Sequence, residues 1–122
     1  MIDLHCHILP GLDDGARDLA HAVAMARIAR DDGITHIAGT PHLFKGSFEF
    51  PDLGVFDEAR DRLAGALREE GIAVTILPGA EVHITHGLVG EVRARRKSLT
   101  LAGSAYLIVE FPRDHVFSRA KD

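Results

Sequence analysis

The residues of this chain that are best suited to chemistry are histidines and acidic residues that follow short apolar segments. His5 and His7 come at the end of the opening segment Met1–Leu4. Residues two apart on a β-strand lie on the same side, so two imidazoles placed there could bind one metal ion. The same residue types recur after later apolar segments, as Asp14, His42, Glu81 and Glu110. Imidazole and carboxylate ligands are typical of Mn, Fe or Zn, and a carboxylate can bridge two ions.

Turn residues divide the chain into alternating strands and helices, which must position these side chains. The pattern predicts strands over residues 1–5, 34–40, 72–77 and 105–111, and helices over 19–32, 55–70 and 86–96. Asp18 is the expected N-cap of the first helix and Gly33 its left-handed C-cap. Such alternation predicts parallel strands with right-handed crossovers. We therefore expect one α/β domain over residues 1–122, with the candidate ligands at the rim where α/β barrels build active sites.

Glu110 is the candidate ligand that is hardest to explain without a cation. It lies in the apolar run from Tyr106 to Phe111, where an unpaired carboxylate is costly to bury. Asp13, next to Asp14, fits a simple turn as well as it fits a functional role. A lone histidine beside a strand is more often a surface residue than a ligand. We assign no function to the other histidines, which are His21, His36, His83, His86 and His115.

Composition narrows the classes of function. The net charge of −4 over 122 residues does not favour nucleic-acid binding. The one basic run, Arg93–Lys97, fits a solvated helix end better than a phosphate-binding patch. Cys6 is the only cysteine, which excludes an internal disulfide and suits the reducing cytoplasm. No segment reaches about 18 uninterrupted apolar residues, so we expect no membrane span.

Several segments resemble, in order along the whole chain, the PHP (polymerase and histidinol phosphatase) superfamily. They are Met1–Ala16, Met25–Arg27, Gly33–Ile34, Ala38–His42, Leu77–Val82 and Ile108–Pro112. Within that superfamily, the chain resembles the bacterial CpsB/YwqE-type (CpsB/CapC) manganese-dependent tyrosine-protein phosphatases. The resemblance implies a partial, distorted (β/α)7 barrel of the TIM-like kind. This chain would form its N-terminal half, with about four parallel strands alternating with helices.

The resemblance also implies a centre of up to three metal ions. His5, His7 and Glu81 would hold the first ion and its catalytic water, Glu81 and Glu110 the second, with Glu81 bridging, and Asp14 and His42 the third. Manganese is the implied metal, with Fe, Zn and Mg as alternatives. Clustered cations lower the pKa of bound water and neutralise phosphoryl oxygens. The implied substrate is phosphotyrosine on proteins that regulate capsular or exopolysaccharide synthesis.

A cysteine-dependent phosphatase mechanism is disfavoured by the residues around Cys6. That mechanism needs a thiolate, a phosphate-binding loop and an arginine six positions later, where this chain has Leu12. Cys6 also alternates to the opposite side of the strand from His5 and His7. We therefore interpret Cys6 as a small packed side chain.

The sequence departs from the family by lacking two later ligand segments. Family members supply a histidine from a His-Pro-Glu-Arg-like segment and a late Asp-X-His pair, and neither occurs here. Half a barrel also leaves strand edges unpaired. We therefore expect a homo-oligomer, with a separate complementary half as the alternative partner. Two other functions stay open: a non-catalytic metal-binding or scaffold remnant, and another PHP or amidohydrolase-type phosphatase acting on a sugar phosphate or histidinol phosphate.

Overall fold

The computed structural model describes residues 1–113, which form short parallel strands alternating with helices. The strands are β1 (Ile2–Cys6), β2 (His36–Gly39), β3 (His42–Leu43), β4 (Thr75–Leu77), β5 (Glu81–His83) and β6 (Ile108–Glu110). The helices are α1 (Leu19–Asp31), α2 (Gly54–Glu69), α3 (Leu88–Ala94) and α4 (Arg96–Leu99), followed by a 3₁₀ turn at Leu101–Gly103. The predicted α/β class with parallel strands is confirmed. The prediction of a single domain up to residue 122 extends beyond the described residues.

The strands form two parallel sheets of three strands each. One has the order β1-β2-β4 and the other the order β3-β5-β6. The second and third predicted strands end near the predicted positions, but after Thr40-Pro41 and after Pro78–Ala80 the chain forms a further short strand in the other sheet. Proline has no N–H to continue a ladder of hydrogen bonds. The structure therefore has six short strands where the sequence predicts four, and residues 1–113 contain no closed sheet.

Helix α1 has the caps that the sequence predicts. The Asp18 side chain accepts a hydrogen bond of 2.8 Å from the backbone N–H of His21, and Gly33 follows the helix with φ +82°. The predicted third helix, in contrast, is divided into α3 and α4, because Arg95 between them has non-helical angles (φ −125°, ψ 30°). None of the helices in residues 1–113 has the length and apolarity needed to cross a membrane.

The core lies between the sheets and the inner faces of α1 and α2. Helix α1 contributes Ala22, Val23 and Ala26. The large side chains that are at most 1% exposed are Ile8, Ile37, Leu43, Leu63, Leu67, Val82 and Leu99. Because these residues come from both sheets and from α2, one core supports both layers of strands.

Strand register brings the candidate ligands to one rim. His42 of β3 is the register partner of Glu81 of β5, and His83 of β5 is the partner of Glu110 of β6. Residues in register on neighbouring strands have adjacent side chains. The loop after β1 reaches the same rim, since the backbone of Ala16 donates a hydrogen bond of 2.9 Å to the carbonyl oxygen of His7.

Candidate metal centre

All six predicted ligands lie together at this rim, in three overlapping groups. Within each group, one nitrogen or oxygen atom per residue lies within 4.8 Å of the others. The groups are His5, His7 and Glu81; His42, Glu81 and Glu110; and His7, Asp14 and His42. Each group shares at least one residue with another. The arrangement therefore suits neighbouring metal ions rather than three separate sites.

Glu81 lies at the centre of the site. Its Oε1 atom is 3.4 Å from His5 Nε2, and its Oε2 atom is 3.2 Å from His7 Nε2 and 3.0 Å from His42 Nδ1. The residue is only 9% exposed. A carboxylate with imidazoles around both oxygens is placed where a ligand that bridges two ions would be.

Glu110 lies next to two histidines of the site. Its Oε2 atom lies 3.3 Å from His42 Nδ1 and 3.8 Å from His83 Nδ1. These three atoms are buried, and none has a hydrogen-bond partner within residues 1–113. Buried polar atoms are almost always hydrogen-bonded or bound to an ion. The convergence of three unpartnered ligand-type atoms shows that these residues fit a cation.

The other oxygen of Glu110 contacts the ammonium group of Lys45. Burial alone would raise the pKa of Glu110, but the hydrogen bond and positive charge of Lys45 outweigh it and hold this pKa below its ordinary value. The sequence indicates that Glu110 needs a positive charge nearby. In this structure Lys45 supplies one.

Asp14 lies at the open side of the site. Its side chain is 70% exposed, and its Oδ1 atom is 3.4 Å from Nε2 of His42. The rings of His7 and His42 are tilted against each other, with centroids 4.5 Å apart. The third group therefore joins an exposed carboxylate to two imidazoles that also belong to the other groups.

Asp13 has a role that the sequence analysis left open. Its side chain is fully enclosed, and its Oδ2 atom lies 2.7 Å from Nδ1 of His7. The same oxygen accepts a hydrogen bond of 2.9 Å from the backbone N–H of His42, and Oδ1 accepts one of 3.0 Å from Gly15. Asp13 thus ties two candidate ligands together. A carboxylate that holds the second ring nitrogen of a ligand histidine is a common feature of metal sites.

The contact between Asp13 and His7 shifts the pKa of both groups. The hydrogen bond that His7 donates to Asp13 is the main reason that the pKa of His7 lies above its ordinary value. Burial would raise the pKa of Asp13, but the hydrogen bonds from His7, His42 and Gly15 outweigh it and lower this pKa. Asp13 is therefore a carboxylate, and it favours the His7 tautomer that leaves Nε2 free to bind a metal.

The loop that carries Asp13 fits closely against His7. A Cβ atom at residue 15 would lie 2.1 Å from the carbonyl oxygen of His7, so only glycine fits there. A hydrogen bond of 2.8 Å from Gly11 to the carbonyl of Ala16 closes the loop. The spacing of the acidic and glycine residues after His7 therefore has a structural cause, which is the position of the Asp13 carboxylate.

Two further residues at the site were not predicted. His83 is two residues after Glu81 on β5, so the same-side rule could have found it. Lys45 lies in the irregular segment after β3, and no sequence pattern places it. His21, His36 and His86 belong to none of the three ligand groups. His115 lies outside the described residues.

Comparison with known proteins finds a matching family model and several bacterial relatives. The family model of capsular polysaccharide synthesis proteins, CpsB/CapC, matches residues 1–122. The tyrosine-protein phosphatase YwqE of Bacillus subtilis is 45% identical over 116 residues, which is 95% of this chain and 45% of the relative. The tyrosine-protein phosphatase CpsB of Streptococcus pneumoniae is 28% identical over 111 residues, which is 91% of this chain and 45% of the relative.

A solved structure shows the same arrangement of elements. It comes from work on YwqE of Bacillus subtilis and CpsB of Streptococcus pneumoniae, described as unique metal-dependent tyrosine phosphatases. It matches 99% of this chain and 48% of its own chain, with 42% sequence identity and a TM-score of 0.88. This chain spans about half the length of the relatives that it matches. Because the family model matches the whole sequence, the chain belongs to the CpsB/CapC family.

Proposed function

We propose that this chain supplies metal-binding residues of a manganese-dependent tyrosine-protein phosphatase. The observation that carries the proposal is the set of three interlocked ligand groups, with three buried atoms that lack hydrogen-bond partners within residues 1–113. The relatives named as tyrosine-protein phosphatases support the reaction class. The proposed substrates are phosphotyrosine residues of proteins that regulate capsular or exopolysaccharide synthesis. The proposed location is the cytoplasm, which the single unpaired cysteine favours.

The roles of the side chains follow from their positions. His5, His7 and Glu81 would hold one ion, Glu81 with Glu110 a second, and Asp14 with His42 a third. Divalent ions bound there would activate water for attack on phosphorus and neutralise the phosphoryl oxygens. Asp13 keeps the Nδ1 proton of His7 and so presents its Nε2 atom to the centre of the site.

We also propose that the two sheets belong to a PHP-type (β/α)7 barrel and that the chain associates with a partner through the open edges of these sheets. Within residues 1–113, β1 and β6 each pair with a strand on one side only. An apolar groove of about 480 Å³ opens beside them, lined in part by Ile2, Leu4 and Tyr106. These side chains are 56%, 55% and 74% exposed. Self-association is the favoured arrangement, and a separate complementary half is the alternative.

Replacement of His7 tests the metal-dependent activity. We expect His7→Ala to weaken Mn binding and to lower hydrolysis of a phosphotyrosine peptide at least about 100-fold, because it removes a ligand shared by two groups. The measurements are calorimetric titration with Mn and phosphate release. His86→Ala is the matched control, since His86 is exposed and belongs to no ligand group. Mn binding without turnover in the wild-type chain would favour the scaffold function, and absence of Mn binding would refute the proposal.

Replacement of Asp13 tests its action on His7. We expect Asp13→Asn to lower the pKa of His7, measured by NMR titration of the metal-free chain, because the hydrogen bond that His7 donates to Asp13 is the main cause of its elevation. The dissociation constant for Mn should rise about 10-fold to 100-fold. Asp18→Asn is the matched control, because asparagine also caps helices. An unchanged His7 pKa in Asp13→Asn would contradict the assigned role.

Alkylation of Cys6 tests whether a thiol takes part. Burial, followed by the charges of Asp3 and Asp13, raises the pKa of the Cys6 thiol to about 11. Roughly one thiol in ten thousand is then ionised at pH 7, which is too few for an efficient nucleophile. We expect Cys6→Ala to retain Mn-dependent hydrolysis and iodoacetamide to have little effect on the wild-type rate. Complete loss of hydrolysis in Cys6→Ala and in the iodoacetamide-treated wild type would point to a cysteine mechanism.

Sedimentation equilibrium tests the proposed self-association. We expect the wild-type chain to form a dimer or larger oligomer, and Tyr106→Asp to shift it towards the monomer by placing a charge in the apolar groove. Val89→Asp is the matched control, because Val89 is 65% exposed on α3 and does not line the groove. The proposal would be contradicted if the wild-type chain sedimented as a monomer and Tyr106→Asp gave the same mass.

A further inference from the structure

The turn after β3 brings an ammonium group to the metal centre. The backbone N–H of Phe44 donates to the carbonyl of Phe48, and that of Phe48 donates to the carbonyl of Lys45, both at 2.9 Å. Gly46 has φ +56°, and Phe44 adopts the left-handed region with φ +63°. A bulky residue in that region is strained, and such strain is concentrated at functional sites. The strained turn directs Lys45 back towards β6.

Lys45 supplies a positive charge to the ligand group formed by His42, Glu81 and Glu110. Its ammonium contacts Oε1 of Glu110, while the other oxygen faces His42 and His83. The Lys45 side chain is 31% exposed, so it sits at the mouth of the site rather than in the core. The contact therefore joins a flexible, positively charged side chain to a carboxylate that a metal ion would also bind.

Charge decides what happens to Lys45 when the centre is loaded. A divalent ion on Glu110 would repel a neighbouring ammonium group and satisfy the carboxylate in its place. A phosphoryl dianion arriving at the centre would attract the same ammonium. The long, flexible stem of lysine allows its charge to move between the two positions without movement of the backbone.

Phe48 lies in the same turn as Lys45 and places an aromatic ring at the site. Its ring stacks on that of His42, with centroids 5.6 Å apart and planes 14° from parallel. The same turn that delivers Lys45 therefore also places an aromatic face next to a candidate ligand. An aromatic surface beside a phosphate-binding cation suits an aryl phosphate better than a sugar phosphate.

We propose that Lys45 is a substrate-binding residue that exchanges partners: it neutralises Glu110 in the metal-free chain and binds the phosphoryl oxygens of an aryl phosphate once a metal ion occupies that position. Phe48 contacts the aryl ring in this complex. The proposal rests on the proposed metal-dependent phosphatase function. It adds a residue that competes with the metal and then holds the substrate.

Two titrations test this exchange without a measurement of turnover. The first is calorimetric titration of the wild-type chain and Lys45→Gln with Mn. We expect the weakest Mn site to bind about 3-fold to 10-fold more tightly in Lys45→Gln, because the competing ammonium is gone. The second is titration of the Mn-loaded chains with phenyl phosphate, which Lys45→Gln should bind about 10-fold more weakly. Lys97→Gln, at an exposed lysine of α4, is the matched control for loss of one positive charge and should change neither constant.

The outcomes separate this proposal from the function on which it rests. Mn binding that weakens in Lys45→Gln would show that Lys45 only supports Glu110, and unchanged phenyl phosphate affinity would show that it does not meet the substrate. Either result overturns the exchange and leaves the metal centre intact. A wild-type chain that binds no Mn overturns both. Inorganic phosphate, titrated in parallel, should bind more weakly than phenyl phosphate in the wild type, and equal affinity would refute the contact with Phe48.

Discussion

The accumulation of carboxylates at one rim is the constraint on which the rest of this site depends. Asp13, Asp14, Glu81 and Glu110 lie within a few side chains of one another, and each has a different source of stabilisation. Asp13 is enclosed and receives hydrogen bonds. Asp14 remains in solvent with 70% exposure, whereas Glu81 is surrounded by imidazoles. Glu110 depends on Lys45. Glu110 is therefore the carboxylate whose position depends on a nearby cation, whether an ammonium group or a metal ion provides it.

The interruptions of the strands create the rim. β2 and β4 end before Thr40-Pro41 and Pro78–Ala80, and the chain resumes in the second sheet with His42 and Glu81 as first residues of their strands. Thr40 fills the first interruption, because its hydroxyl accepts a hydrogen bond of 3.0 Å from the backbone N–H of Cys6. The step between the sheets thus leaves the backbone N–H of Cys6 hydrogen-bonded. It also places two ligands side by side at the end of β1.

Much of this arrangement could be predicted from local signals, and the rest depends on contacts distant in sequence. The helix caps at Asp18 and Gly33 depend on residues close in sequence, and so does the alternation of strands with helices. The sequence therefore reveals both. The positions of His42 and Glu81 after apolar segments could likewise be predicted. Lys45 could not, because it reaches Glu110 through a strained turn and a contact 65 residues away in sequence. Asp13 was ambiguous, since a turn residue and a buried hydrogen-bond acceptor have the same local pattern.

One open edge of the first sheet lies beside the candidate metal centre. Within residues 1–113, β1 is an edge strand of that sheet, and it carries His5, whose side chain is 45% exposed. The backbone N–H of His5 is occupied by the side chain of Asp3, at 3.1 Å, rather than by a neighbouring strand. An acidic side chain that caps an edge donor protects the edge from indiscriminate pairing. A strand added to β1 would displace Asp3, extend the sheet and cover His5 in one event. The edge that would accept a further strand and the most exposed histidine of the candidate site therefore lie on the same strand.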